Sequence, residues 1–190
     1  GKGLQGEHGL SLLVDTGEHR LLFDTGASDL FIRNARILGI DLKEVDFLVL
    51  SHGHRDHTGG LHHFLAVNDK AQVVCKRELF RPKFKDEREN GVMQPDALDS
   101  TRFRFVDEVT ELCRGVFVFP QLPVTDEEDT HFEHFFTWAE GRKQADTFTD
   151  ELALVLKQDA EVSVLSACSH RGITNIIRAV QEYFPQTSLK

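Results

Sequence analysis

Apolar and polar positions alternate in three regimes along the chain. In the first third, "LSLLVD" (Leu10–Asp15) and "HRLLFD" (His19–Asp24) are short apolar runs separated by a turn containing Gly17, which predicts a β-hairpin. "SDLFIRNARILGI" follows. Ser28 or Asp29 can cap a helix, Leu30, Ala35 and Leu38 recur at helical spacing, and Gly39 ends it. "VDFLVLS" (Val45–Ser51) is an unbroken apolar run, the pattern of a buried strand, and "GGLHHFLAVND" reads as a helix. The last part is equally regular. "ELALVLK" and "VSVLSA" are strands joined by "QDAE", "CSHRG" is a loop, and "ITNIIRAVQEYF" is a helix. Ile173, Ile176, Ile177, Val180 and Phe184 lie along one face of that helix.

The middle, roughly residues 76–148, is polar and broken. "RFRFVDEV" and "GVFVFPQLPV" look like strands, while "TDEEDTHFEHFF" is acidic with aromatics interleaved. That acidic stretch reads equally as a solvated loop or as a cover over a substrate. Strands and helices at both ends predict an α/β domain. One domain over residues 1–190, with a variable cap or insertion at about 76–148, suits the length of 190 residues.

Composition narrows the partners. A net charge of -9 argues against a nucleic-acid surface and leaves room for a small, anionic substrate. Three scattered cysteines, Cys75, Cys113 and Cys168, do not read as a disulfide framework. No run is long enough for a membrane span, and no signal-peptide pattern opens the chain, so a cytoplasmic location is expected. Fifteen phenylalanines leave the oligomeric state open.

Two motifs carry candidate chemistry. "LLFDTGAS" (Leu21–Ser28) resembles the active-site loop of an aspartic protease, which needs two carboxylates sharing a proton. The other Asp-Thr-Gly, Asp15–Gly17, lies on the opposite arm of the same hairpin, too close to form such a pair. "SHGHRDHTGG" (Ser51–Gly60) is different. His52, His54, Asp56 and His57 fall within six positions, directly after the buried strand. Imidazole and carboxylate suit divalent first-row metals, and the carboxyl end of a strand is where open α/β sheets place their sites. His52 and His54 can point at one ion, Asp56 and His57 at a second. Gly53, Gly59 and Gly60 let this loop turn sharply. Asp24 ends a strand beside it, and could orient a histidine or merely close a turn.

At these residues the sequence resembles the metallo-β-lactamase superfamily, whose signature His-x-His-x-Asp-His is complete here. "EHGLSLLV", "LLFDTGAS", "SHGHRDHTGGL" and "ACSHRGITNII" resemble, more narrowly, the branch of 7,8-dihydropterin-6-yl-methyl-4-(β-D-ribofuranosyl)aminobenzene-5′-phosphate synthase-like proteins. The resemblance implies an αββα sandwich, here either complete or without its last strand and helix. It also implies a mono- or dinuclear site for one or two divalent ions: zinc first, with manganese, iron or magnesium as alternatives.

His170 is the best further ligand under this resemblance, and Cys168 sits near the expected place of a bridging aspartate, as a ligand or as a core residue. Asp150 is a weaker candidate. Twenty residues follow His170 and none is histidine, although the resemblance predicts a final one. His8 could reach the site and touch substrate, and Arg171 could hold a substrate phosphate. His62 and His63 read as helix surface, and His131 and His134 could approach the site from the cap. The expected activity is that of a metal-dependent hydrolase or a pterin-related enzyme, with Asp56 as the catalytic group. The alternative is a weakened or non-catalytic metal-binding or sensor protein of the same fold.

Overall fold

The computed structural model describes residues 3–92 and 100–190, so residues 93–99 of the middle segment lie outside the account. The chain opens with β1 (Leu12–Asp15), β2 (Arg20–Phe23), α1 (Leu30–Leu38) and β3 (Phe47–Val49). A short helix α2 (Arg55–Thr58), α3 (Leu61–Val67) and β4 (Gln72–Cys75) follow. Next come β5 (Lys83–Lys85), β6 (Arg88–Glu89), β7 (Phe103–Phe105), β8 (Thr110–Cys113) and β9 (Val116–Phe119). The remainder is β10 (Phe135–Ala139), β11 (Arg142–Ala145), β12 (Ala153–Gln158), β13 (Glu161–Leu165), α4 (Ile173–Tyr183) and β14 (Ser188–Leu189).

Two five-stranded sheets face each other, ordered β1-β2-β3-β4-β7 and β14-β13-β12-β9-β8. The first is parallel beyond its opening hairpin, and the second is antiparallel except for β13 against β14. Side chains of a strand alternate between faces, and here both faces are apolar. Leu21, Phe23, Val49 and Val74 meet Val116, Val118, Leu152 and Leu154 between the sheets. Leu22, Leu48, Leu50 and Val73 turn outward onto Phe31, Ile32 and Ala35 of α1 and onto Leu61 and Phe64 of α3. Phe119, Ala153 and Val155 turn outward onto Ile176 and Val180 of α4. The result is the expected αββα order of layers, and it explains why the central strands are apolar without alternation.

The pattern places the helices correctly but not all their faces. In α1 the buried residues are Phe31, Ile32 and Ala35, while Leu38 is 58% exposed. Gly39 ends it in the left-handed region, φ 72°. Asp29 makes no cap hydrogen bond; its carboxylate pairs with Arg33, and Ser28 Oγ instead accepts from Leu30 N–H. In α4 Ile173 is 43% exposed, and a polar residue, Asn175, is buried. Its amide accepts from Thr125 N–H, Thr125 O–H and Asp126 N–H, and donates to the carbonyls of Asp126 and Arg171. The acidic stretch is thereby tied to the start of α4, where Asp129 also accepts from Thr174 N–H.

The polar middle holds a further four-stranded antiparallel sheet, β11-β10-β5-β6. No helix among the described residues is long and apolar enough to cross a membrane.

Glycines 59 and 60 serve packing rather than unusual dihedrals, since both have ordinary helical φ. A Cβ on Gly60 would collide with the Thr25 carbonyl and the Phe31 ring. Gly60→Ala is expected to lower stability by about 1–3 kcal/mol through this overpacking, read as a lower denaturation midpoint in urea.

Candidate metal centre

The strand β3 ends at Val49, and the chain then enters the loop that carries His52 and His54 before α2 presents Asp56 and His57. The Asp-Thr-Gly turn after β2 holds this loop in place. Asp24 is fully buried at φ 61°, a left-handed conformation that aspartate tolerates better than most residues. Its carboxylate accepts from Ser51 N–H (2.7 Å), Ser51 O–H (2.7 Å) and His57 Nδ1–H (2.7 Å). Thr25 adds two bonds from its N–H and O–H to the His57 carbonyl, at 2.8 and 3.0 Å. The turn that looked like half of a protease site is therefore a support for the histidine loop.

These bonds also set which ring nitrogens keep a lone pair. Ser51 O–H is directed at Asp24, so Ser51 Oγ accepts from His52 Nδ1 at 2.9 Å and His52 Nε2 is left as an acceptor. His57 Nδ1 donates to Asp24, and His170 Nδ1 donates to the His131 carbonyl at 3.0 Å. The tautomers follow from this hydrogen-bond network. The ligand-type atoms of His52, His54 and His170 then lie within 4.8 Å of one another, as do those of His52, His57 and Cys168. His52 Nε2 and His54 Nδ1 are 3.1 Å apart, close to the separation of about 3.3 Å for two nitrogens on one tetrahedral ion.

The fit to a cation has a direct sign in the structure: His170 Nε2 is buried with no hydrogen-bond partner. Buried polar atoms are ordinarily satisfied, and a cation meeting the His170 lone pair would satisfy that atom. Burial, with repulsion from the other rings, pushes His52 well below its usual value, His54 down to about 3 and His170 down to about 4. All three are neutral near pH 7, the form that ligates.

His57 behaves oppositely. Burial works to lower it, but the hydrogen bonds it makes to Asp24, Asp56 and Cys168 outweigh burial and raise it to about 12. Asp56 lies 3.4 Å from His57 Nε2 and 3.3 Å from His8 Nε2. Against the cost of burial, His57 brings it down to about 2, so it is ionised.

Of the other residues singled out in the sequence, Cys168 joins the second group, 3.2 Å from His57 Nε2. Asp56 belongs to neither group of three but borders the second. His8 is at the exposed mouth. Arg171 does not enter the cluster: its guanidinium donates to the carbonyls of Leu122 and Thr147. His134 is exposed and pairs with Asp86, His62 stacks near His63 on α3, and His131 contributes its backbone.

The supporting residues are less visible in sequence. Asp150 accepts from Gly53 N–H (2.7 Å) and from Lys83 (2.6 Å), and Lys83 also binds Asp146 (2.8 Å), all deeply buried. Glu151 accepts from the backbone N–H groups of His170 and Arg171, and burial raises it to about 7 despite them. Phe148 stacks on His170 at 3.8 Å, and Phe135 of β10 packs against both His54 and His170. In the sequence only Asp150, as a weaker ligand candidate, pointed to this layer.

The sequence profile of the metallo-beta-lactamase superfamily matches residues 4–150. A 7,8-dihydropterin-6-methyl-4-(beta-D-ribofuranosyl)-aminobenzene-5′-phosphate synthase from Methanocaldococcus jannaschii is 28% identical over 192 residues, covering 90% of this chain and 64% of that protein. An uncharacterized protein of the same organism is 27% identical, covering 90% and 66%. The chain thus spans just under two thirds of the length of these curated relatives. The crystal structure of Tm1679, a metal-dependent hydrolase of the beta-lactamase superfamily, superposes with a TM-score of 0.81 at 34% identity, covering 97% of this chain and 68% of that one.

Two outcomes follow from the geometry. Asp24→Asn puts an amide in place of the acceptor-only carboxylate, so divalent cation affinity is expected to fall about 10- to 100-fold, measured by competition with a chelator. Because His57 is protonated before a cation arrives, binding through its Nε2 must release that proton. Apparent affinity should therefore rise with pH, by about tenfold per unit for one proton, between pH 6 and 8. A pH-independent affinity would show that His57 takes no part.

Proposed function

This chain belongs to the metallo-β-lactamase superfamily, and on that premise we propose that it is a metal-dependent hydrolase acting on a small, anionic substrate. What carries the reading is the pair of ligand groups that share His52, together with the unpartnered Nε2 of His170. His52, His54 and His170 would hold one cation. His57 and Cys168, with Asp56 alongside, would hold a second that shares the His52 side of the site. Zinc suits imidazole and thiolate best. A divalent cation held there supplies Lewis acidity at neutral pH.

The protein's own groups then have distinct tasks. Asp56, ionised and at the mouth, orients an attacking water and accepts its proton. His8, 3.3 Å from Asp56, contacts the substrate at the entrance. Asp24 holds His57 and, through Ser51, His52 in their orientations. Phe135 and Phe148 keep water from the buried side of His54 and His170. The small sheet that carries Phe135 acts as the cap. The similarity to the pterin-related synthase supports trying a pterin-type phosphate ester early in a substrate screen, beside simple phosphodiesters and carboxylic esters.

Elemental analysis of the purified protein is expected to find close to two divalent ions per chain, lost in the double variant His52→Ala, His54→Ala. Asp56→Asn is expected to reduce turnover of any substrate found by about 10²- to 10⁴-fold. Bound metal without turnover of any phosphodiester or ester would favour a binding or sensor role, and no metal at all would defeat the reading.

A further inference from the structure

Behind the loop that carries His170, on the α4 side of the sandwich, lies an open cavity of about 670 Å³. Its wall includes Lys76, which follows β4, and Arg171, but none of the cluster histidines. Both cations are half-buried. Each is held by backbone carbonyls alone: Lys76 Nζ donates to Pro120 O at 2.8 Å, and the Arg171 guanidinium donates to Leu122 O and Thr147 O. Among the described residues, neither has a carboxylate within 4 Å.

Two half-buried cations lining one cavity with no carboxylate in contact are costly, because burial and like charge act together. Burial pulls the Lys76 ammonium below its usual range, with Arg171 adding to the shift and the more distant carboxylates of Glu78, Asp150 and Asp107 opposing it. Both side chains keep unused donors. An ammonium has three and a guanidinium five, and the bonds above occupy one and two of them. Glu182 is the single carboxylate in the wall. Phe119 and Tyr183 line the same cavity, their rings 5.3 Å apart edge to face.

We infer that this cavity is a second binding site, separate from the histidine cluster, for a dianion of the phosphate type carried on a flat apolar group. The dianion bridges Lys76 and Arg171, and the ring lies against Tyr183 and Phe119. A dianion is preferred to a carboxylate because it answers both charges, and arginine offers phosphate two parallel N–H donors. The site is joined to the cluster through Glu151, whose carboxylate holds the backbone of both His170 and Arg171.

The probes are inorganic phosphate and phenylphosphonate, titrated calorimetrically into the protein as purified. Phosphate is expected to bind saturably, and phenylphosphonate more tightly. Lys76→Met should weaken both by about tenfold or more, Lys76→Arg should retain them, and the double variant His52→Ala, His54→Ala should leave them unchanged. Two further variants sit on exposed positions that do not threaten the fold. Glu182→Gln should tighten binding by about two- to threefold through lost repulsion, and Tyr183→Ala should abolish the advantage of phenylphosphonate. Binding that vanishes in the histidine double variant but survives Lys76→Met would place the anion at the cluster and overturn the inference. So would the absence of saturable binding up to about 10 mM phosphate, or indifference to Glu182→Gln.

Discussion

The first histidine loop at the candidate centre is held by one buried carboxylate. Asp24 accepts three hydrogen bonds, from Ser51 N–H, Ser51 O–H and His57 Nδ1. Burial pushes Asp24 up, opposed by the bonds from His57 and Ser51; as a carboxylate it is an acceptor only, so its partners must all present hydrogens. That requirement turns Ser51 Oγ into an acceptor for His52, leaves His52 Nε2 with a lone pair, and holds His57 so that its Nε2 faces the same space once its proton has left. A single charge thus aligns the ends of β2 and β3 and sets the ligand character of two rings. It is carried at a left-handed φ of 61°, a strained conformation of the kind that persists when surrounding contacts over-determine it.

Two other non-glycine residues near the centre share this feature, Phe148 at φ 51° and Ser169 at φ 53°. Phe148 stacks on His170, and Ser169 precedes it. Beneath them lies a charged layer, Lys83 with Asp146 and Asp150, and Glu151 beside it. Removing one member of such a pair strands a buried charge. The layer therefore fixes two loops at once: Asp150 holds Gly53 in the first histidine loop, and Glu151 holds His170 in the second. The two halves of the sandwich meet at the site through these carboxylates rather than through the histidines alone.

The polar middle of the chain acquires meaning in this setting. Lys83 of β5 and Phe135 of β10 come from the small antiparallel sheet, and Arg55 N–H bonds to Asn90 O. A segment with no strong apolar period still supplies a buried cation and an aromatic wall to the centre. Its strands are short and their pattern is dominated by what they contact, which is why periodicity conveyed little of them.

Local rules were enough for the central strands, the hairpin, the helices α1, α3 and α4, and the clustering of His52, His54, Asp56 and His57, because those depend on apolar period and on residues close in sequence. The superfamily signature was read from the same residues, and the αββα layering was what that resemblance implied. The tertiary structure decided the rest. It turned α1 onto Phe31 and Ile32, buried Asn175, and directed Arg171 away from the histidines. It also brought His170 and Cys168, more than a hundred positions along the chain, to His52 and His57. Side-chain charge state and tautomer belong to this second class. They are set by partners such as Asp24, Ser51 and the His131 carbonyl that only the packed sheets bring within hydrogen-bond reach.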